Sequence, residues 1–292
     1  MNQKLLISVV MITYAHENYI REAIKGVLMQ EGDFDLELII ANDCSPDNTD
    51  LIISDILRSH PKADKIRYIK HDKNLGMMPN FIFALQEAKG KYIALCEGDD
   101  YWTDPYKLQK QVDFLEANSD YVLCFHPVKV LQPDGQLVDD FITDPRYNKI
   151  SEDKISIKSM IDHSNFIHTP SVVYRNIIKI KQIEFNYSPV GDFLLYFELS
   201  NYGYFKRLDD VMGVYRFGVG VYSGISDHAK NKVALKFDVC LLSLTNNEDL
   251  KKILIQRLQK YIDNKENQNL ISINEISWTD FIKRKLKLKK YL

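Results

Sequence analysis

The chain has no pair of cysteines at metal-ligand or redox spacing; Cys44, Cys96, Cys124 and Cys240 are scattered along it. That excludes a CxxC redox motif and a short-spaced zinc framework. Cys96 and Cys124 sit inside apolar runs and read as buried thiols, so a reduced, cytoplasmic setting is the simplest expectation. An excess of one charge is also missing. With 38 basic and 40 acidic residues the formal net charge is −2, so no global field draws nucleic acid or an anionic membrane, and attraction to phosphate must be local. No apolar run approaches the roughly 20 residues that span a bilayer. The run Leu5–Ile12 is too short for a signal segment with a cleavage site and leads straight into polar residues, so it reads as a buried first strand. There is no internal repeat and no low-complexity linker. Over 292 residues, a hydrophobic content of 45% suffices for one large domain with an appendage, or two small ones.

What is present is an alternation of strand and helix signals through the first hundred residues. Strands are predicted at Leu5–Ile12, Leu36–Ala41, Ile66–Ile69 and Tyr92–Cys96. Between them Glu17–Gln30, Thr49–Ser59 and Met78–Ala88 carry apolar residues at helical spacing. This order implies right-handed crossovers and a mostly parallel sheet, whose ligands bind beyond the carboxyl ends of the strands. Polar clusters fall at those ends: Thr13–Asn18, Asn42–Asp47, His71–Gly76 and Glu97–Asp100. The second half is mixed. Tyr106–Ala117 and Phe193–Asn201 read as helices, and Tyr121–Leu131, Ser171–Tyr174 and Val211–Phe217 as strands, with Pro133-Asp134-Gly135 marking a hairpin turn. From about Asp227 the chain is mainly helical.

Each polar cluster has a chemical and a plain reading. Glu97-Gly98-Asp99-Asp100 puts three carboxylates into four residues; they repel unless a cation shares them, and Mg²⁺ or Mn²⁺ bridging to a diphosphate would do so. An acidic turn ahead of a helix is the plain alternative. Asp43 could accept the imide N–H of a uracil or thymine, although by itself Asn42–Asp47 reads more simply as a helix cap. Lys73-Asn74-Leu75-Gly76 offers close backbone approach, or is an ordinary turn. Asp192 opens a helix and is either its cap or a general base toward an acceptor hydroxyl. Arg216 could reach a diphosphate bidentately, or be a surface partner.

As an ordered set these segments resemble the family 2 glycosyltransferases of the GT-A fold. The resemblance runs through Ser8-Val9-Val10-Met11-Ile12-Thr13-Tyr14, Asn42-Asp43-Cys44-Ser45-Pro46-Asp47, Asn74-Leu75-Gly76, and Gly90-Lys91-Tyr92-Ile93 leading into Glu97-Gly98-Asp99-Asp100-Tyr101-Trp102. Asp104–Gln111, Gly191-Asp192 and Tyr215-Arg216 extend it, so that roughly residues 5–225 are covered. It implies an α/β Rossmann-like GT-A domain over 1–225, with a nucleotide-sugar half of about 1–104, an acceptor half of about 105–225, and a helical extension over 226–292. It further implies Thr13, Tyr14, Glu17 and Asp43 around the nucleotide, and Asn74, Gly76 and Asn80 beside base and ribose. Glu97, Asp99 and Asp100 would form the DxD-type segment, contacting ribose and a divalent metal, with Asp99 and Asp100 favoured as ligands. Asp192 would be the base of an inverting displacement from a nucleoside-diphosphate sugar, UDP being expected, onto a glycan or lipid-linked glycan. The implied product is a surface polysaccharide.

The chain departs from the family pattern at four places. Ala15 stands where Asn is frequent, Asn42 replaces the first of two aspartates, and Glu97 replaces the first acid of the DxD segment. Where many relatives carry a histidine after Tyr-Arg, this chain reads Phe217-Gly218-Val219-Gly220; His228 is the nearest substitute in sequence. A sugar-nucleotide pyrophosphorylase would want a glycine-rich loop after the first strand, and that position holds Thr13–Tyr19 without glycine. A processive synthase would want membrane spans and a QxxRW-type segment. A degenerate binding or scaffold module on the same fold is the alternative from another class. The segment 278–292 carries six basic residues against one acid, interleaved with Trp278, Phe281, Ile282, Leu286, Leu288 and Tyr291. It reads either as a peripheral contact with the inner face of the plasma membrane or as a helix packing its apolar stripe on the protein.

Overall fold

The structure is a computed structural model that describes residues 4–140, 153–163, 165–179, 188–220 and 223–263. The basic segment 278–292 and residues 141–152 of the expected acceptor half lie outside the described residues. Those described divide into two compact units, one within 1–186 and 191–224, the other within 187–190 and 225–292.

The first unit begins with the predicted alternation: β1 (Leu5–Thr13), α1 (Ile20–Leu28), β2 (Phe34–Asn42), α2 (Thr49–Ser59), β3 (Ile66–Lys70), α3 (Met77–Glu87) and β4 (Tyr92–Leu95). It continues through β5 (Tyr101–Trp102), α4 (Lys107–Ala117), β6 (Tyr121–Phe125), β7 (Lys129–Leu131), β8 (Leu137–Asp139), α5 (Ile157–His163), β9 (Val173–Arg175), α6 (Gly191–Leu199), β10 (Tyr204–Arg207) and β11 (Gly213–Arg216). A seven-stranded sheet has the order β10-β6-β9-β4-β1-β2-β3. β1 pairs in parallel with β2 and β4, β2 with β3, and β6 with β10, whereas β9 runs antiparallel to β4 and β6. β1 is central and reads as a continuous apolar run because both faces are covered; Ile7, Val9, Val10 and Met11 are all buried.

Register brings the polar strand ends to one level. Thr13 stands opposite Asn42 and Asn42 opposite Lys70. Beyond the last β1–β4 pair, Val10 with Leu95, the chain keeps climbing β1 as Cys96 N donates to Val10 O and Gly98 N to Ile12 O. From β1 the chain adds β2 and β3 on one side of the sheet and then crosses to add β4 on the other. That is the switch point at which open α/β sheets bind ligands.

The helices form where the spacing predicts them. α1 buries Ile20, Ala23, Ile24, Val27 and Leu28, and Gly26 lets it touch β5, since a Cβ there would lie 2.8 Å from Trp102 N. α4 buries Leu108, Val112 and Leu115, and also Lys107 and Gln111. Lys107 Nζ sits 4.1 Å from the Trp102 ring centroid and donates to Gln111 Oε1 at 2.6 Å. Burial pushes this ammonium down to about 7, and the ring face and amide compensate it only in part.

A second sheet, β5-β11-β7-β8, was not foreseen. The apolar run Tyr121–Leu131 looks like one strand. His126-Pro127-Val128 breaks it, so that β6 joins the large sheet and β7 the small one, where β7 pairs with β8 across the predicted hairpin turn. The second unit contains α7 (Asp227–Leu244), capped by Ser226 Oγ accepting from Ala229 N, and α8 (Glu248–Asp263). Arg257 Nε on α8 meets Asp238 Oδ2 on α7 at 3.0 Å. No helix among the described residues is long and apolar enough to cross a membrane.

Candidate active site

The acidic turn leaves β4 at the carboxyl edge of the sheet. One carboxylate oxygen each from Glu97, Asp99 and Asp100 lie within 4.8 Å of one another. Asp99 and Asp100 are buried and Glu97 is half-buried. Burial first, then the charges of Asp99 and Asp192, push the Glu97 carboxyl up to about 8. Burial, then Asp99 and Glu97, hold Asp100 well above the ordinary carboxylate range. Asp100 Oδ1 accepts from Arg216 N at 2.8 Å, but Oδ2 is buried with no hydrogen-bond partner among the described residues. An orphaned buried acceptor costs about 1–3 kcal/mol, more when charged. A hard divalent cation would offset both the repulsion and the orphaned oxygen, and an all-oxygen donor set suits Mg²⁺ or Mn²⁺. The residues fit such an ion.

Glycine is required inside this turn because it presses on β1. A Cβ at Gly98 would lie 2.7 Å from Thr13 Oγ1 and 2.8 Å from His16 Nδ1. His16, not singled out by the sequence reading, is nearly buried, with Nδ1 3.2 Å from Thr13 Oγ1 and Nε2 4.0 Å from Asp99 Oδ2. Burial lowers its pKa, against the pull of Asp99 and Asp47.

The loops after β1 and β2 brace each other. Ala15 N donates to Ser45 Oγ, His16 N to Thr49 Oγ1 and Glu17 N to Asp47 Oδ2, at 2.9 to 3.0 Å. Glu17 Oε2 accepts from Asn48 N and Nδ2. Ala15 and Cys44 both hold φ at 57°, a left-handed conformation that persists only where the surroundings fix it. Tyr14 is 46% exposed on this edge.

Asp43 is buried and ties β2 to the 74–76 turn, with Oδ1 accepting from Leu75 N at 2.6 Å and Oδ2 from Gly76 N at 2.9 Å. Gly76 has φ of 90°, which a side chain would strain, and its N–H also donates to Asn74 Oδ1. Asn80 is buried, donating to Ala41 O and pairing with His71 Nε2. Asn42 points inward instead, accepting from Ser45 N and Oγ and donating to Tyr68 OH.

On the acceptor side, Asp192 stands in the first turn of α6. Its Oδ1 accepts from Phe193 N at 2.7 Å, and its Oδ2 from Asn165 Nδ2 at 3.1 Å and Thr169 Oγ1 at 3.4 Å. Burial raises its pKa and these three bonds lower it. The charge of Asp192 bears on Glu97, and burial with the charges of Asp192 and Glu97 raises the Tyr196 phenol well above its usual range. Tyr196 OH is buried without a hydrogen-bond partner among the described residues. Asp192, Tyr196 and the acidic turn thus share one region.

Arg216, expected to reach a diphosphate, is engaged within the chain. Its guanidinium is buried, bonds to Glu22 Oε2 on α1 and to the Asp99 carbonyl, and lies between the rings of Tyr19 and Tyr101. Arg216 fastens the acidic turn to α1 and β5 from behind. His228 lies exposed on α7 in the second unit.

The model of glycosyl transferase family 2 matches residues 8–179, more than half of the chain. The chain belongs to this glycosyltransferase family. The Mycobacterium tuberculosis protein Rv1520 is 40% identical over 209 residues, which cover 72% of this chain and 58% of the relative. The chain therefore spans less than two thirds of that relative's length. The Escherichia coli UDP-Glc:α-D-GlcNAc-diphosphoundecaprenol β-1,3-glucosyltransferase WfaP is 26% identical over 210 residues, covering 72% of this chain and 76% of WfaP.

Solved structures share the fold. S. aureus TarS 1–349 in complex with UDP aligns with a TM-score of 0.63 at 18% identity, over 94% of this chain and 78% of TarS. The mannosyltransferase PcManGT from Pyrobaculum calidifontis, in complex with GDP-Man and Mn²⁺, aligns with a TM-score of 0.63 at 13% identity, over 90% of this chain and 72% of PcManGT. The GT-A architecture expected from the sequence is the one found, a glycosyltransferase fold with a mostly parallel central sheet and a helical C-terminal part. Within this family frame Thr13, Tyr14, Glu17, Asp43, Asn74, Gly76, Asn80, Glu97, Asp99 and Asp100 all lie along one edge of the sheet. His16, Asn165, Thr169 and Tyr196 join them without having been singled out in the sequence. His16 had a signal, an imidazole directly after the first strand; Asn165 and Thr169 had none, since no periodicity marks their loop.

Proposed function

We propose that the protein is a metal-dependent, inverting glycosyltransferase that moves a sugar from a nucleoside-diphosphate donor, UDP in the first instance, to a hydroxyl of a glycan or lipid-linked glycan in surface-polysaccharide assembly. In this reading 1–225 form the transferase domain and 226–292 an extension, working in the cytoplasm. The observation that carries it is the buried acidic turn with the orphaned Asp100 Oδ2, lying within electrostatic reach of Asp192. A bound cation would supply charge to the leaving diphosphate.

The protein's own groups have distinct tasks. Asp43 and the 74–76 turn border the base, with Thr13, Tyr14 and Glu17 beside it and Asn80 behind. Asp99 and Asp100 hold the ion, and Glu97 faces the ribose. Asp192 accepts the acceptor's hydroxyl proton as that oxygen bonds to the anomeric carbon and the bond to the diphosphate breaks. The hydrogen bonds from Asn165 and Thr169 favour the ionised form of Asp192 against its burial and aim it. WfaP, whose name gives UDP-Glc as donor and a diphosphoundecaprenol-linked sugar as acceptor, supports this choice of substrates. Peripheral membrane contact through 278–292 accords with a lipid-linked acceptor; liposome co-sedimentation of intact and tail-deleted protein tests it, and equal binding would remove it.

Incubation with Mn²⁺ and a panel of UDP-, GDP- and dTDP-sugars is expected to release nucleoside diphosphate from one of them, with release lost in Asp192→Asn. Absence of binding to every nucleotide would instead favour a scaffold module with a degenerate site.

A further inference from the structure

We propose that Glu22, on the exposed side of α1, is a positioning residue for the cation site: acting through Arg216, it holds Asp99 and Asp100 where a divalent ion can bridge them. The inference rests on the metal-dependent reading above and adds to it a residue that the ion itself would not touch.

The chain of contacts is the first argument. Arg216 engages both favoured ligands at once. Its main-chain N–H donates to Asp100 Oδ1 at 2.8 Å, and its Nη1 donates to the Asp99 carbonyl. At the other end of the same guanidinium, Nη2 donates to Glu22 Oε2. The Arg216 side chain is 8% exposed and that of Glu22 55%. A guanidinium taken out of water needs a counter-charge, and among the described residues its ion pair is with Glu22. The rings of Tyr19 and Tyr101, with centroids 5.0 and 4.6 Å from its central carbon, restrain it further. The rigid fork then lets the Glu22 bond set the angle at which Nη1 meets the Asp99 carbonyl.

The second argument is that the frame around this link stands without Glu22. Gly26, one turn later on α1, brings that helix against β5, where a Cβ would lie 2.8 Å from Trp102 N. β5 follows the acidic turn directly and pairs with β11, which ends at Arg216. Removing Glu22 therefore releases the far end of the guanidinium while the strands keep the turn in place. It also leaves an uncompensated positive charge beside the carboxylates, which opposes the entry of a cation.

The test is Mn²⁺ affinity of the full-length protein, read from the electron spin resonance of the free ion, with a thermal melt of each variant. Groups that orient metal ligands typically change affinity by about 10–100-fold, so Glu22→Ala should weaken Mn²⁺ binding by about tenfold. Glu22→Gln keeps an oxygen for Nη2 and should lose less, with a melt close to wild type. Turnover of Glu22→Gln at saturating Mn²⁺ should match wild type, so that added metal restores the rate. Arg216→Lys cannot hold both ends and should weaken Mn²⁺ binding as well, and the double variant Glu22→Ala with Arg216→Lys should lose no more than the worse single one. Unchanged Mn²⁺ affinity in Glu22→Ala, losses that add in the double variant, or an affinity that falls only in step with Tm would overturn the role of Glu22 and leave the metal-dependent reading intact. Failure of the wild type to bind Mn²⁺ would overturn both.

Discussion

Removing the amide that Asn165 presents to Asp192 should move the pH at which the enzyme switches on. Asp192 accepts three hydrogen bonds, from Phe193 N, Asn165 Nδ2 and Thr169 Oγ1, and burial drives its pKa the other way. A hydrogen bond to a charged group contributes about 1.5–3 kcal/mol, and about 1.4 kcal/mol corresponds to one pKa unit. Losing the Asn165 bond should therefore raise Asp192 by about 1–2 units, nearer 1 because the carboxylate is only partly buried and water can replace the amide. A base works only when ionised, so the acid limb of kcat should shift to higher pH in Asn165→Ala, while the rate on the plateau stays near wild type. Thr169→Val should shift it less, its bond being longer at 3.4 Å. Nucleoside-diphosphate release between pH 5 and 9 at saturating donor reads this directly, with UDP affinity as the control. An unmoved limb in both variants, or a loss of UDP affinity that matches the loss of rate, would refute the role given to Asp192.

Four further outcomes follow from particular contacts. Asp192→Asn should lower turnover by about 10²–10⁴-fold with little change in UDP binding by calorimetry; full activity would remove it as the base. Gly98→Ala forces a Cβ to 2.7 Å from Thr13 Oγ1, so it should cost about 1–3 kcal/mol in stability and weaken Mn²⁺ binding, whereas an unchanged melt would contradict the packing. Asp43→Ala frees the Leu75 and Gly76 amides and should cost about 2 kcal/mol or more, together with nucleotide affinity; a drop in affinity without a drop in Tm would mean that Asp43 does not hold the 74–76 turn. Lys107 gives the fourth. Burial holds its folded pKa at about 7, below the ordinary lysine value of 10.5, so the unfolded chain binds the extra proton between these values and stability rises with pH across that window. Tm of the wild type should climb between pH 7 and 9, and Lys107→Met should flatten that climb; parallel curves would show that the ammonium is not buried.

Much of the first half was legible because its signals are local. An apolar run buried on both faces, as in Leu5–Thr13, and a stripe such as Ile20-Ala23-Ile24-Val27 declare themselves within one window. Polar residues immediately after each strand gather along one edge, because parallel register carries those ends to one level. What stayed hidden depends on partners far apart in sequence. β5 is two residues long and exists through pairing with β11, more than a hundred residues later. The split of Tyr121–Leu131 between two sheets, and the antiparallel insertion of β9, are decided by tertiary pairing that periodicity does not encode. Arg216 illustrates the same limit within the site. A strand-end arginine near phosphate chemistry reads as a ligand contact, yet Glu22, the Asp99 carbonyl and two tyrosine rings take up its guanidinium. Asn165 and Thr169 reach Asp192 from a loop whose sequence carries no pattern.

In the proposed reaction, acids that follow β4 and a carboxylate from α6 flank one donor at the carboxyl edge of the sheet. A crystal structure of the protein soaked with UDP and Mn²⁺ measures it without intermediaries. The account predicts the ion on Asp99 and Asp100, the uracil beside Asp43 and the 74–76 turn, and Asp192 open toward the space beyond the diphosphate. Nucleotide bound in another cleft, or an ion that ignores the acidic turn, would contradict it.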